Sequence, residues 1–145
     1  MKIKVLILSL FAFMALNATN LVTKNSNNSV NVTISKMQKI MKKKGITVFK
    51  VIDFRAGAKS IGADMTKAKL IIFGNPKLGT RIMQRDIKAA IELPMKILVY
   101  RDFNGKTQME YKKPEALEHK YDLAGCTVLP TMADALNKIT TKAGM

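Results

Sequence analysis

The chain of 145 residues is poor in the side chains that most often carry chemistry, with one cysteine, one histidine and no tryptophan. A lone cysteine, Cys126, cannot form an intramolecular disulfide, so stability must come from the packing of a core. We interpret Cys126 as a small buried apolar residue, with a reactive thiol as the alternative. One histidine and one cysteine also exclude a zinc site of the Cys/His type within a single chain.

Familiar catalytic motifs are missing as well. The sequence contains no Gly-x-Ser-x-Gly, Walker, Gly-x-Gly-x-x-Gly or Cys-x-x-Cys-His pattern. The few acidic residues fall mostly in predicted turns and on predicted helix surfaces, so their spacing indicates no carboxylate pair. These absences favour a binding module over an enzyme, and the sequence assigns no catalytic residue and no cofactor.

Acidic residues are outnumbered by basic ones, 10 to 25, and the net charge is +15. The basic residues are scattered and there is little aromatic interleaving to stack bases, so we expect no nucleic-acid partner. The lysines of the first predicted helix instead favour weak association with an anionic membrane surface or an acidic partner, with a solvated helix face as the alternative. They are Lys36, Lys39, Lys42, Lys43 and Lys44.

Long hydrophobic runs are limited to residues 5–16. Lys2 and Lys4 precede this run and Ala18 follows it, which is the layout of a secretory signal peptide. The run is shorter than the roughly 20 apolar residues of a membrane-spanning helix. We therefore predict a cleaved signal peptide at residues 1–18 and an exported, periplasmic protein that is not integral to the membrane. An uncleaved anchor or a core helix is the alternative.

The rest of the chain is predicted to form a flexible lead-in, residues 19–29, and a single domain, residues 30–145. Apolar alternation predicts strands at 30–34, 46–54, 69–73, 96–101 and 107–111, the last two joined by an Asn-Gly hairpin. Helices are predicted at 35–44, capped by Ser35, from Thr80, at 114–120 and at 131–142, and residues 55–65 form a loop or short helix. The order β-α-β-β-α-β-β-α-α indicates an α+β fold in which helices cover one face of a mostly antiparallel sheet.

Within the strand at 46–54, the alternation predicts two faces. Ile46, Val48, Ile52 and Phe54 would point to one face, and Phe49 and Val51 would point to the other.

Three segments carry a resemblance to a known family: KGITVFKVIDFRAGAKSIG, KLIIFGNPKLGT and PEALEHKYDL. Together with Met83-Gln84 and Leu93-Pro94, they make the chain similar to the domain of unknown function 302 family from residue 30 to about 142. The resemblance implies a TBP-like fold, a curved antiparallel sheet of about five strands backed by helices, and a homodimer. It implies no activity and no catalytic residues.

The turn in the second segment is the best candidate site. A glycine-bearing turn that leads into a helix N-terminus can present free amide hydrogens to an anion, and two basic side chains add charge. The alternative is a purely structural turn. The candidate ligand-binding residues are Gly74, Asn75, Lys77, Gly79, Thr80 and Arg81.

The single histidine is a second candidate. His119 could ligate a metal or haem, with Met83 or Met109 as a soft partner, although a solvated histidine and core methionines are the alternative. The leading hypothesis is therefore an exported binding or interaction module that holds a small anionic or hydrophobic ligand or an envelope partner. The competing hypothesis is a metal- or haem-dependent redox accessory or enzyme centred on His119.

Overall fold

A computed structural model describes residues 20–145, so the predicted signal peptide lies outside the described residues. Five strands are present: β1 (Leu21–Ser26), β2 (Thr47–Asp53), β3 (Ala68–Gly74), β4 (Met95–Arg101) and β5 (Thr107–Lys112). The helices are α1 (Val30–Lys43), α2 (Phe54–Ser60), α3 (Pro76–Arg85) and α4 (Val128–Gly144). Short 3-10 turns cover Ile87–Glu92 and Pro114–Leu117.

The strands form one sheet in the order β1-β5-β4-β3-β2, and each neighbouring pair is antiparallel. The predicted hairpin is confirmed: β4 and β5 pair, and Gly105 takes a positive φ of 79° in the turn between them. The α+β class, with a five-stranded antiparallel sheet backed by helices, is confirmed too.

One face of the sheet carries the core. Alternate residues of the inner strands, including Ile71, Ile97, Val99 and Met109, are fully buried, and so are side chains of α1 and α4. These two helices also contact one another. Cys126 belongs to the same core cluster and is 5% exposed, which confirms its interpretation as a buried apolar residue.

The start of the domain differs from the prediction. Residues 30–34 are the first turns of α1 rather than a strand, and its cap is Ser29 rather than Ser35. The strand lies earlier, at Leu21–Ser26, within the segment predicted to be a flexible lead-in, and it pairs with β5 at the edge of the sheet. The sequence VNVTI alternates as a strand does, but its buried residues also fit the helical period, and that period extends through α1.

The two faces of β2 differ as well, because a register shift separates Val48 from Lys50. Val48 lies opposite Phe73 and Val51 opposite Ile71, so both valines share the core face instead of pointing to opposite faces. A bulge inserts one residue into a strand and breaks its alternation.

The bounds of the later helices also differ from the prediction. The last helix begins at Val128 and includes Gly144, whereas the prediction started it at Thr131 and ended it before that glycine. Thr131 lies inside the helix and donates its hydroxyl to the Thr127 carbonyl, 3.1 Å away. The segment predicted as a helix at 114–120 is a 3-10 turn over Pro114–Leu117, and residues 55–65 contain the short helix α2.

The described part of the chain, residues 20–145, holds no helix that is both long and apolar enough to cross a membrane.

Candidate functional site

Helix α3 begins four residues before the predicted start at Thr80. Asn75 is its cap, Pro76 occupies the first turn, and the Asn75 side chain accepts the Lys77 amide at 3.0 Å. Proline suits this position because it has no amide hydrogen to satisfy. The turn between β3 and α3 is therefore shorter than the sequence predicted.

The amides that an anion would need are already used. Leu78 and Gly79 both donate their amides to the Asn75 carbonyl, at 3.0 and 2.9 Å. Thr80 and Arg81 lie in the second turn, where each amide donates to the carbonyl four residues earlier. The expectation of free amides after Gly79 is wrong, because the helix has already started.

The same segment forms one wall of an apolar pocket of about 630 Å3. Gly74, Asn75 and Gly79 line this pocket, which we call the α3–α4 pocket, whereas Lys77, Thr80 and Arg81 are exposed and do not line it. The structure thus brings half of the candidate ligand-binding residues to one cavity and leaves the charged ones outside.

The walls come from both helices and from one end of the sheet. Helix α3 contributes Leu78 and Met83, the strand ends contribute Phe73 and Met95, and Leu93 and Pro94 lie beside them. Helix α4 supplies the opposite wall with Met132, Ala135, Leu136 and Ile139. These four side chains lie on one face of α4, because they are spaced as i, i+3, i+4 and i+7.

The bulge in β2 supplies an aromatic side chain to this pocket. Phe49 lines the cavity and is 56% exposed. Its ring lies against Gly74: a Cβ at that glycine would be 3.0 Å from Phe49 Cε2 and 3.7 Å from Pro94 Cβ. The absence of a side chain at Gly74 therefore gives the ring its place at the edge of the pocket.

Charge is nearly absent from the lining. Among the lining residues that the structure describes, Lys44, the C-cap of α1, is the one charged side chain, and Asn75 adds an amide. No carboxylate from residues 20–145 lines the pocket. Such a lining of apolar side chains with a few polar groups is typical of small-molecule sites.

The histidine hypothesis finds little support in the geometry. His119 is exposed on the chain after the Pro114–Leu117 turn, Met83 lines the α3–α4 pocket, and Met109 is fully buried in the core. Among residues 20–145, no three His, Cys, Asp or Glu side chains are grouped as a metal site requires. The structure does not bring a ligand set to His119.

A carboxylate that the sequence did not single out has a strongly lowered pKa. Glu92 follows α3, and its side chain is 12% exposed. It accepts hydrogen bonds from Lys120, from Lys112 at 3.2 Å and from the Tyr121 hydroxyl at 3.1 Å. These donors, Lys120 above all, lower the pKa of Glu92 from 4.5 to about 2. They tie three segments together beside a smaller pocket of about 230 Å3.

The lysines of the first predicted helix lie mostly at the surface. Lys39, Lys42, Lys43 and Lys44 are exposed, and Lys36 is half-buried. This arrangement fits the solvated helix face, and association with a membrane or an acidic partner stays a prediction.

Comparison with known proteins places the chain among uncharacterised domains. The family model "Domain of unknown function DUF302" matches residues 22–139. A crystal structure of an uncharacterized conserved DUF302 protein from Bacillus stearothermophilus superposes with a TM-score of 0.69 at 22% identity, over 88% of this chain and 97% of that one. This likeness shows the fold.

Curated relatives carry a more specific name. Fluoride-specific ion channel FluC 1 of Brucella suis and FluC 2 of Brucella melitensis are each 33% identical over 127 residues, or 86% of this chain. The match covers 50% and 47% of those proteins, so the chain spans about half their length.

Proposed function

The chain belongs to the DUF302 family, and we propose that this member is a binding module that holds a small apolar molecule in the α3–α4 pocket. The observation that carries the proposal is the pocket itself: about 630 Å3 lined almost entirely by apolar side chains. Pockets for small molecules fall in the range of roughly 300–1,000 Å3.

The energetics favour an apolar occupant. Side chains such as Leu78, Met83 and Phe49 face the cavity or its edge, and covering them removes apolar surface from water at about 25 cal/mol per Å2. A small anion without an apolar body would gain little here, since it would leave its hydration shell for walls that offer few donors.

Fluoride as a ligand is suggested by the name of the Brucella relatives, and the lining of this pocket does not favour it. A strongly hydrated ion needs several converging donors, and the lining offers the Lys44 ammonium and the Asn75 amide. We therefore expect that sodium fluoride, added to the dye titration described below, leaves the binding of the apolar probe unchanged.

The test is a fluorescence titration with Nile red, an uncharged apolar dye, on protein purified after expression of the complete chain. We expect saturable binding. Ala135→Trp should weaken it at least about tenfold, because the indole would fill the cavity from α4. The matched control is Ala63→Trp, which adds the same ring at an exposed position outside the pocket.

Two results would contradict the proposal. Either the wild-type protein fails to bind the dye, or Ala135→Trp binds it as tightly as Ala63→Trp does. Circular dichroism of both variants establishes that each is folded.

We further propose that the protein acts after export. The support is the sequence of residues 1–18, with its basic start, short apolar run and terminal alanine. N-terminal sequencing of the native protein should recover a start shortly after Ala18, and recovery of Met1 would show that the segment is retained.

A further inference from the structure

We infer that the ligand of the α3–α4 pocket is an amphipathic anion, an apolar body with one acidic head group that pairs with Lys44. The inference rests on the proposed function and names its ligand class. It starts from Lys44, the single charged side chain that the described part of the chain brings to the lining, where it places no carboxylate to neutralise that charge.

The backbone fixes where Lys44 leaves α1. Its amide donates to the Ile40 carbonyl at 3.1 Å, and Gly45 turns the chain towards β2 with a φ of 66°. Glycine suits position 45 because it tolerates a positive φ. The backbone of Lys44 is therefore held between α1 and β2, the strand that carries Phe49.

The ammonium group of Lys44 is available to a ligand. A lysine at a helix C-terminus often interacts with the last carbonyls, but here backbone amides occupy them: Gly45 donates to the Lys42 carbonyl at 3.2 Å and Ile46 to the Met41 carbonyl at 2.9 Å. None of the ion pairs within residues 20–145 includes Lys44.

A carboxylate or similar acidic group would complete this arrangement. It would gain Lys44 as a charged partner while its apolar body covers the walls of α3 and α4, and Asn75 offers an additional amide donor. The net charge of +15 also attracts anions from solution. An uncharged apolar ligand would use the walls but leave Lys44 without a role.

The test compares decanoate with 1-decanol, which share an alkyl chain and differ in the head group. Each displaces Nile red from the protein purified after expression of the complete chain, at concentrations below aggregation of the ligand. We expect decanoate to bind more tightly than decanol, and Lys44→Gln to weaken decanoate about fivefold while leaving decanol unchanged.

Lys43→Gln is the matched control, since it removes the same charge from an exposed neighbour that does not line the pocket. It should change decanoate binding by less than about twofold, because solvent screens the more distant charge.

The outcomes separate the inference from the proposed function. Equal affinities for acid and alcohol, both unaffected by Lys44→Gln, would overturn the amphipathic anion and keep an apolar ligand. An equal loss in Lys43→Gln would overturn the assignment to Lys44, because the effect would be one of overall charge. Failure of Nile red itself to bind would overturn the proposed function first.

Discussion

At the scale of single residues, two helical glycines meet opposite surroundings. A Cβ at Gly144 would lie 3.0 Å from both the Asn25 carbonyl oxygen and Met109 Cε, whereas a Cβ at Gly57 would meet no atom of residues 20–145 within 4 Å. We expect Gly144→Ala to lower the free energy of unfolding by about 1–3 kcal/mol, because backbone of β1 would have to move.

Gly57→Ala is its matched control and should be neutral or stabilise by up to about 1 kcal/mol, since alanine has the higher helix propensity. Urea denaturation of both variants measures the difference. Equal stabilities would mean that α4 and β1 do not approach as closely as the structure shows.

Glu92 ties the segment after α3 to two lysines and a tyrosine, and its pKa of about 2 makes that tie depend on pH. A carboxyl whose pKa is lowered by folding stabilises the protein above its unfolded pKa of about 4.5, and this contribution is lost as the pH falls towards 2. The full shift corresponds to about 3 kcal/mol. Lys112 and Lys120 are exposed, so screening reduces our expectation to about 1–2 kcal/mol.

Glu92→Gln should therefore destabilise the protein by about 1–2 kcal/mol at pH 7, and the difference from wild type should shrink between pH 5 and pH 2. Urea denaturation across this range measures it, with Glu115→Gln as the control because Glu115 is exposed on the neighbouring 3-10 turn. A difference that stays constant with pH would contradict the assignment.

At the scale of elements, the start of α1 offers a test of the observed cap against the predicted one. Ser29 accepts the Val32 amide at 3.4 Å, whereas Ser35 lies exposed inside the helix. Ser29→Ala should cost about 0.5–1 kcal/mol, and Ser35→Ala should cost nothing or slightly stabilise, because alanine is the better helix former. Chemical denaturation that ranks the two variants in the reverse order would support the predicted cap.

The sequence predicted elements well where two independent signals agreed. The β4–β5 hairpin combined β-rich runs with Asn104-Gly105, and the order of strands and helices followed from such patterns. At residues 30–34 two periods competed, and the choice between strand and helix needed the buried positions of the whole of α1, from Val30 to Met41.

Edge strand β1 was missed for a different reason. Its residues LVTKNS alternate between exposed and half-buried positions, since an edge strand is covered less than a central one. Thr, Asn and Ser in such a strand look like a loop. The pairing of β1 with β5 is a long-range contact, which local patterns do not report.

The junction that holds the candidate site was predicted in position, but the amide hydrogens expected to be free there are bonded within the helix. Glycine, asparagine and proline in sequence marked the junction of β3 and α3, but not which residue begins the helix. The pocket could not be predicted, because its walls meet from distant parts of the chain, and Phe49 reaches it through a bulge that breaks the strand period.

At the scale of the whole molecule, the sheet has an outer face, opposite the face that packs against α1 and α4. Glu110 lies opposite Leu98 on this outer face, and Lys50 and Lys96 flank Ile72. The apolar side chains of the face are only half-buried: Ile52, Leu70, Ile72, Leu98 and Tyr100. An exposed apolar sheet face is a typical site of self-association. Together with the family resemblance, this surface leads us to predict a homodimer that buries the outer face.

Light scattering on the purified protein should give twice the monomer mass. Leu70→Lys should shift the protein towards the monomer, because Leu70 lies between Ile52 and Leu98, and a charge there loses its water without gaining a partner. Ile61→Lys is the matched control: it makes the same change at a residue that is 81% exposed in the turn after α2. A wild-type monomer at every concentration would contradict the homodimer, and a dimer that persists in Leu70→Lys would place the interface elsewhere on the molecule.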